Sequence, residues 1–184
     1  ELRGENGNDA LLAGDGTDLL IGGWGDDRLF GGASDDTIYG EQGSDELRGE
    51  EGNDTLLGGD DADLLVGSTG NDRLFGGTGN DSLQGDDGND ELRGEDGHDL
   101  MTGGDNQDLM IGGGGNDRLF AGADSDTLYG NDGDDELRGE DGGEKREEGK
   151  GGECESVRVR EWRERRERRE GERGERGERG ERGE

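Results

Sequence analysis

Aspartate recurs at every ninth position through most of the chain, and its carboxylates are the groups best placed to do chemistry. The fifteen aspartates in this register are Asp9, Asp18, Asp27, Asp36, Asp45, Asp54, Asp63, Asp72, Asp81, Asp90, Asp99, Asp108, Asp117, Asp126 and Asp135. Carboxylates act in proteins as acid–base groups or as oxygen ligands of hard cations. A strictly periodic row of one residue type favours ligands over acid–base pairs. We therefore predict that these aspartates bind metal.

Residues for other kinds of chemistry are scarce in the sequence. The single histidine, His98, and the single cysteine, Cys154, fall in unrelated segments, and neither H-E-x-x-H nor G-x-S-x-G occurs. Zinc and copper prefer His and Cys ligands, and Mg²⁺ demands tight octahedral geometry and keeps its water. We predict no catalytic residues, no enzyme activity and Ca²⁺ as the bound cation.

Other positions of the nine-residue repeat are also fixed by residue type. An apolar residue follows each aspartate by two positions: Leu11, Leu20, Leu29, Ile38, Leu47, Leu56, Leu65, Leu74, Leu83, Leu92, Met101, Met110, Leu119, Leu128 and Leu137. Glycine precedes the aspartate by five positions in thirteen copies, and Ala13 and Ala121 are the exceptions. Glycine also precedes it by two positions in eleven copies, with exceptions at Ser34, Asp61, Asn106 and Asp124. Because glycine accepts positive φ and strand side chains alternate, each copy predicts a turn and a short strand with one inward apolar residue.

The composition argues against a conventional hydrophobic core. Only 22% of the residues are hydrophobic, 44 are glycine, none is proline, and the formal net charge is -31. Such values are typical of disordered chains. An acidic, glycine-rich disordered segment is the alternative interpretation, but it predicts neither the nine-residue register of aspartates nor the linked leucines. No apolar run is long enough to span a membrane.

The repeat resembles the RTX (repeats-in-toxin) calcium-binding nonapeptide, G-G-x-G-x-D-x-U-x, over residues 1–143. The resemblance implies an all-β fold, a right-handed parallel β-roll. In such a roll six residues of each repeat turn and bind calcium, and three form a strand. Two nonapeptides then make one 18-residue turn. About eight turns, spaced about 4.8 Å apart, give a rod on the order of 40 Å long.

Aspartates 18 positions apart stack on one edge of such a roll. Asp9 lies over Asp27 on one edge, and Asp18 lies over Asp36 on the other. Bare carboxylates about 5 Å apart repel each other by roughly 1 kcal/mol per pair in water. Calcium reverses the sign, because it takes six to eight oxygens from carboxylates and exposed turn carbonyls. The pairs from Asp9/Asp27 to Asp117/Asp135 predict up to about thirteen calcium sites, with binding coupled to folding.

The resemblance also implies a biological setting. Members of this family are secreted bacterial repeat proteins that leave by type I secretion and fold outside the cell in calcium. This predicts an extracellular calcium-binding module. Two alternatives stay open: the non-catalytic calcium domain of a larger exported enzyme (protease or lipase) or toxin, and an adhesin or surface-layer segment. The leading triplet Glu1–Arg3 has the form of the end of an earlier nonapeptide, which predicts that further sequence precedes it.

The two outer faces of the predicted roll differ in polarity. Counting from the copy that contains Asp9, even-numbered repeats place Leu19, Ile21, Thr37, Tyr39, Thr55, Leu57, Arg73, Phe75, Glu91, Arg93, Leu109, Ile111, Thr127 and Tyr129 outward. We call this surface the even-repeat face. It is more apolar than the opposite face, which predicts packing against a neighbouring domain or a second roll. Ordinary strand-forming preference explains the same residues equally well.

The register ends after Asp135, and residues 144–184 form a separate low-complexity tail rich in Arg, Glu and Gly. Residues 142–184 contain fourteen basic and fourteen acidic residues, so residues 1–141 carry the whole net charge. We expect the tail to be disordered, or partly helical over 156–170 through Glu–Arg pairs. The alternating glutamates cancel the field of the arginines, so no nucleic-acid partner is predicted. The tail also does not resemble the C-terminal secretion signal of the family.

Overall fold

The structure, a computed structural model, describes residues 1–139 and the backbone of a strand at Lys145–Glu147. The strands are β1 (Leu2–Asn6), β2 (Ala10–Asp15), β3 (Leu19–Trp24), β4 (Arg28–Ala33), β5 (Thr37–Gln42), β6 (Glu46–Glu51), β7 (Thr55–Asp60), β8 (Leu64–Thr69), β9 (Arg73–Thr78), β10 (Ser82–Asp87), β11 (Glu91–Asp96), β12 (Leu100–Asp105), β13 (Leu109–Gly114), β14 (Arg118–Gly122), β15 (Thr127–Asp132), β16 (Glu136–Arg138) and β17 (Lys145–Glu147). The described residues contain no helix.

Odd- and even-numbered strands form two separate parallel sheets. One has nine strands in the order β1-β3-β5-β7-β9-β11-β13-β15-β17, and the other has eight in the order β16-β14-β12-β10-β8-β6-β4-β2. Paired residues are 18 positions apart, as in Leu20 with Ile38 and Leu74 with Leu92. The chain is therefore a parallel β-solenoid of about eight turns, which confirms the predicted fold class and the length of each turn.

The core is a single layer of side chains between the two sheets. All fifteen apolar residues of the repeat are buried, with exposed fractions of 6% or less, and Ala121 joins them. Each strand from β2 to β16 contributes its second residue to this layer, because strand side chains alternate between the two faces of a sheet. The predicted core is confirmed, and each of the two sheets contributes one row of side chains to it.

The paired strand segments are longer than the resemblance implies. Most strands contain six residues rather than three. In β9, Arg73, Leu74 and Phe75 pair with β11, Gly76 does not, and pairing resumes at Gly77. Gly77 has a φ of 112°. The chain therefore turns a corner within the strand while its backbone continues to bond to the neighbouring coil.

Left-handed backbone recurs at two positions of the turn, and glycine does not occupy them all. Two positions before the aspartate, the non-glycine residues with φ between 73° and 85° are Ser34, Asp61, Asn106 and Asp124. Four positions before it, φ lies between 71° and 84° at Glu5, Glu41, Glu50, Ser68, Asp86, Glu95 and Asn131. The second set was not predicted. Because L-residues are strained in this region by about 1–2 kcal/mol, these turns persist only where the surrounding coil holds them.

Charged clusters interrupt both outer faces. In β4 and β6, Glu46 lies between Arg28 and Arg48, at 3.4 Å and 2.8 Å. The same Arg–Glu–Arg cluster recurs 45 residues later, around Glu91, and again around Glu136. Since 45 residues are five nonapeptides, or two and a half turns, successive clusters lie on opposite sheets.

The most exposed large apolar side chains are not concentrated on the even-repeat face, although the sequence predicted that face to be the more apolar one. The outward leucines and tyrosines of the even-repeat face are half-buried by their neighbours along the sheet. The most exposed large apolar side chains are Leu12 (68%), Trp24 (63%) and Leu100 (44%). Leu12 and Leu100 lie on the opposite sheet, and Trp24 is the last residue of β3.

The C-terminal tail is described only at β17, whose backbone pairs with β15 and extends the nine-stranded sheet. Lys145–Glu147 falls within the segment predicted as tail. The helix predicted over 156–170 lies outside the described residues. Within the described part of the chain, no helix has the length and apolar character needed to cross a membrane.

Candidate metal centre

The repeated aspartates line the two turn edges of the solenoid, each one coil above its predecessor. We call these edges the Asp9 edge and the Asp18 edge. The Asp9 edge carries Asp9, Asp27, Asp45, Asp63, Asp81, Asp99, Asp117 and Asp135, and the Asp18 edge carries Asp18, Asp36, Asp54, Asp72, Asp90, Asp108 and Asp126. From Asp27 onward every one is buried, with 8% or less exposed. The structure thus brings all fifteen predicted residues into two stacks.

One carboxylate oxygen of every aspartate from Asp27 to Asp135 ties adjacent coils together. The backbone N–H of Asp27 donates to Oδ1 of Asp45 at 2.7 Å, and the N–H of Asp54 donates to Oδ1 of Asp72 at 2.7 Å. Thirteen such bonds, 2.7–3.0 Å long, join residues 18 apart on the two edges. The aspartates therefore have a structural role that the sequence prediction did not include.

The second carboxylate oxygen is buried and unsatisfied. Within residues 1–139, Oδ2 has no hydrogen-bond partner in Asp9, Asp27, Asp36, Asp45, Asp54, Asp63, Asp72, Asp81, Asp90, Asp99, Asp108 and Asp117. A buried charged oxygen without a partner costs several kcal/mol unless an opposite charge or a donor compensates it. A row of such atoms indicates that each carboxylate is completed by a positive group.

The glycine five positions before each aspartate leaves space for that oxygen. A Cβ added to Gly76 would contact Oδ2 of Asp81 and lie 2.7 Å from the carbonyl oxygen of Gly94 in the next coil. Gly76 has no positive φ, so the requirement is steric rather than conformational. A carboxylate oxygen and a backbone carbonyl oxygen thus converge beside a Cα that carries no side chain.

Burial raises the pKa of twelve of the stacked carboxyl groups, between Asp27 and Asp135, above the ordinary value of 3.8. Desolvation is the largest cause, neighbouring aspartates of the stack add to it, and the backbone N–H bond to Oδ1 opposes it. The pKa is raised to about 6 for Asp45, Asp54, Asp81 and Asp117, to about 7 for Asp72 and Asp108, and to about 8 for Asp63. Without a compensating cation, part of each stack resists ionisation at neutral pH.

The donor set fits a hard cation held by carboxylate and carbonyl oxygens together. In residues 1–139 and β17, no group of three or more His, Cys, Asp or Glu side chains could hold a metal ion. A site made of two stacked carboxylates therefore needs backbone carbonyl oxygens to complete it. Calcium accepts this mixture of ligands, and its flexible geometry suits a turn.

A second ladder runs outside the aspartates, at the residue just before each one. The N–H of Asn71 donates to Oδ1 of Asn53 at 2.9 Å, and Asn89 repeats this contact with Asn71. On the Asp9 edge, the exposed His98 is the acceptor of an equivalent bond between coils. Its Nδ1 accepts a hydrogen bond from the N–H of Asn116 at 2.7 Å. The sequence shows these residues as turn formers, and their spacing of 18 was the signal that they bond between coils.

Comparison with known proteins gives one family. A sequence model of the RTX calcium-binding nonapeptide repeat (four copies) matches residues 1–29, 21–56, 39–74, 57–92, 75–110 and 111–143. Together these matches cover more than three quarters of the chain. No curated protein matches it.

The raised pKa values predict that the metal-free solenoid is stabilised by acid. A carboxyl whose folded pKa exceeds its unfolded value contributes full stability below the unfolded pKa and loses it as pH rises through the folded value. For Asp63 and Asp72 that loss spans pH 3.8 to about 8 and about 7, respectively. In calcium-free buffer, far-UV circular dichroism should show more strand at about pH 5 than at about pH 8.5.

The acidic measurement should stay above the isoelectric point of about 4.1, where the uncharged chain would associate. A helical protein such as myoglobin, measured in the same buffers, shows whether the buffers themselves alter the circular dichroism signal. Equal strand content at both pH values would contradict the burial of uncompensated carboxylates.

Proposed function

Because the chain belongs to the RTX calcium-binding nonapeptide repeat family, we propose that residues 1–143 bind calcium and that binding drives their folding into the β-roll. The observation that carries this proposal is the buried, unpartnered Oδ2 repeated along both edges. An aspartate used only for structure would leave no such atom. The repeat unit is not itself catalytic, and its chemistry is ion binding.

The fifteen aspartates would hold the ions in pairs 18 residues apart, up to about thirteen in all, with turn carbonyl oxygens completing each site. The bound ion supplies positive charge to two carboxylates that otherwise face each other in a desolvated edge. The chain itself positions those carboxylates: the N–H to Oδ1 bond fixes the orientation of each group. Glycine five positions earlier keeps the approach open.

Coupling between binding and folding follows from how little else stabilises the roll. Each nonapeptide buries one side chain the size of leucine, whereas ordering nine glycine-rich residues costs much conformational entropy. The acidic edges add repulsion, since residues 1–141 carry 38 acids and seven arginines. Binding free energy is therefore folding free energy.

We further propose that the module works outside the cell, in a secreted bacterial protein exported by type I secretion. The family is typical of such proteins, and a chain that stays unfolded at low calcium suits export before folding. The module belongs either to a repeat protein or, as its non-catalytic calcium domain, to a larger exported enzyme or toxin; an adhesin or surface-layer segment is the third candidate. Recovery of the protein from calcium-containing culture medium tests the location, and retention inside the cells would contradict it.

Calcium should convert the full chain from disordered to strand-rich. We expect the far-UV circular dichroism of the purified protein to change cooperatively as calcium is added at neutral pH, with little change in equal magnesium. Magnesium keeps its water and its octahedral geometry, so it would not close the turns. A chain that is already ordered in chelator and gains nothing from calcium would rule out the proposal.

Asp72 provides a test of individual ligands. Asp72→Asn keeps an oxygen that can accept the N–H of Asp54 but removes the charge. Because Asp72 belongs to two predicted pairs, we expect about one or two fewer bound ions and a higher calcium midpoint. Equilibrium dialysis gives the number of ions, and circular dichroism gives the midpoint.

The control for this variant is Asp87→Asn, which removes the same charge from the exposed last residue of β10. It should bind the wild-type number of ions, with only a small shift in midpoint from the lower net charge. Identical behaviour of the two variants would show that calcium responds to overall charge rather than to the buried stack.

The even-repeat face is our proposed contact surface for a second roll or a neighbouring domain. Tyr39 and Phe75 lie on it and are half-buried within the isolated solenoid. In sedimentation velocity of the calcium-loaded protein, Tyr39→Ser with Phe75→Ser should weaken self-association, while Leu12→Ser on the opposite sheet should not. Association that is absent in the wild type, or unchanged in the double variant, would contradict a contact between rolls.

A further inference from the structure

Two repeats lack the glycine that leaves space for the aspartate, and both lie on the same edge. Ala13 precedes Asp18 by five residues, and Ala121 precedes Asp126 by five. Asp18 is the first aspartate of the Asp18 edge and Asp126 the last. Every repeat of the Asp9 edge has glycine at this position. The two exceptions therefore mark the two ends of one stack.

The reason for glycine is visible throughout the rest of that edge. An added Cβ on Gly85 would contact Oδ2 of Asp90 and lie 2.7 Å from the carbonyl oxygen of Gly103. Gly31 shows the same conflict with Asp36, where the added Cβ would lie 2.9 Å from the carbonyl oxygen of Gly49. A methyl group at this position crowds both the carboxylate oxygen and the next coil, so it leaves less room for an ion between them.

The first coil contains the other exception, Ala13, and both of its aspartates are only partly buried. Asp9, which follows Gly4, lies nearer the chain terminus than Asp18, which follows Ala13. The Oδ2 atom of Asp9 is nevertheless buried without a hydrogen-bond partner in the described structure. The side chain of Asp18 is 25% exposed, and its Oδ1 lies 3.9 Å from the N-terminal ammonium.

The C-terminal end of the Asp18 edge contains the second exception, Ala121. Ala121 is fully buried, so its methyl group lies inside the edge, where the repeats from Asp36 to Asp108 have glycine. The N–H of Asp108 reaches Oδ1 of Asp126 at 3.0 Å, the upper end of the range for this bond. The carboxylate of Asp126 therefore keeps its place in the stack, and the methyl of Ala121 takes up space beside it that is open elsewhere on the edge.

We propose that Ala13 and Ala121 weaken calcium binding at the first and last sites of the Asp18 edge. This inference rests on the proposed function. The pairs affected are Asp18/Asp36 and Asp108/Asp126, so the Asp18 edge keeps four tight pairs out of six, and the Asp9 edge keeps all seven. The roll then has two classes of calcium site, with the weak class confined to the ends of one edge.

The experiment restores the missing space. Equilibrium dialysis of the full chain, at a calcium concentration just sufficient to fold it, counts the tightly bound ions. The double variant Ala13→Gly with Ala121→Gly should bind about two more ions than the wild type under these conditions. The converse variant, Gly85→Ala, introduces a methyl in the middle of the same edge and should lose about one or two ions.

Ala62→Gly is the matched control, because Ala62 is an exposed turn residue one position before Asp63. It removes a methyl and adds the same backbone freedom, and it should leave the number of ions unchanged. Circular dichroism of every variant in saturating calcium separates a lost site from a lost fold.

A double variant that binds the wild-type number of ions while calcium still folds the chain would overturn this inference and leave the proposed function intact. A chain that does not fold with calcium at all would instead remove the proposed function. If Gly85→Ala fails to fold, the double glycine variant still decides the question, because it relieves a steric conflict rather than creating one.

Discussion

The unsatisfied carboxylate oxygen is the constraint around which this solenoid is organised. From Asp27 to Asp117, each nine-residue repeat buries a carboxyl group, uses one oxygen to hold the backbone of the neighbouring coil, and leaves the other without a hydrogen-bond partner. Most proteins avoid this arrangement, because the free energy gained by burying one leucine per repeat does not offset the cost of burying a charge without a partner. Here the arrangement recurs along both edges of the solenoid, and a bound cation would compensate it.

The glycines serve two separate purposes within this plan. Some, such as Gly77 with its φ of 112°, let the chain turn a corner inside a paired strand. Others, such as Gly76, have ordinary backbone angles and are needed because a side chain would strike the carboxylate and the next coil. The first kind is replaced in several repeats by Glu, Asp, Asn or Ser, at the cost of local strain. The second kind is replaced only by alanine, and only twice.

Much of this was predictable from the sequence, because the period of nine fixes so many positions at once. The apolar residue two positions after each aspartate predicted the core, and the 18-residue turn predicted which aspartates share an edge. The signal was weaker for backbone conformation. Nothing in the residue type of Glu50 indicates left-handed backbone, since the neighbouring coil imposes its φ of 77°. The N–H to Oδ1 bonds were likewise hidden, because a sequence shows which carboxylates stack but not how each is oriented.

The spacing of the Arg–Glu–Arg clusters limits how this chain can have grown. A unit of five nonapeptides is two and a half turns, so each added copy reverses the side on which its surface residues appear. Whether the unit contains an odd or an even number of nonapeptides decides where the clusters lie. An even number would have placed the clusters around Glu46 and Glu91 on a single side. With an odd number, a surface residue selected on one outer side of an ancestral unit appears on that same side only in every second duplicated copy. Duplication of this unit therefore produces a rod with similar residues on both sides. Neither side can become specialised unless the duplicated unit changes to an even number of nonapeptides.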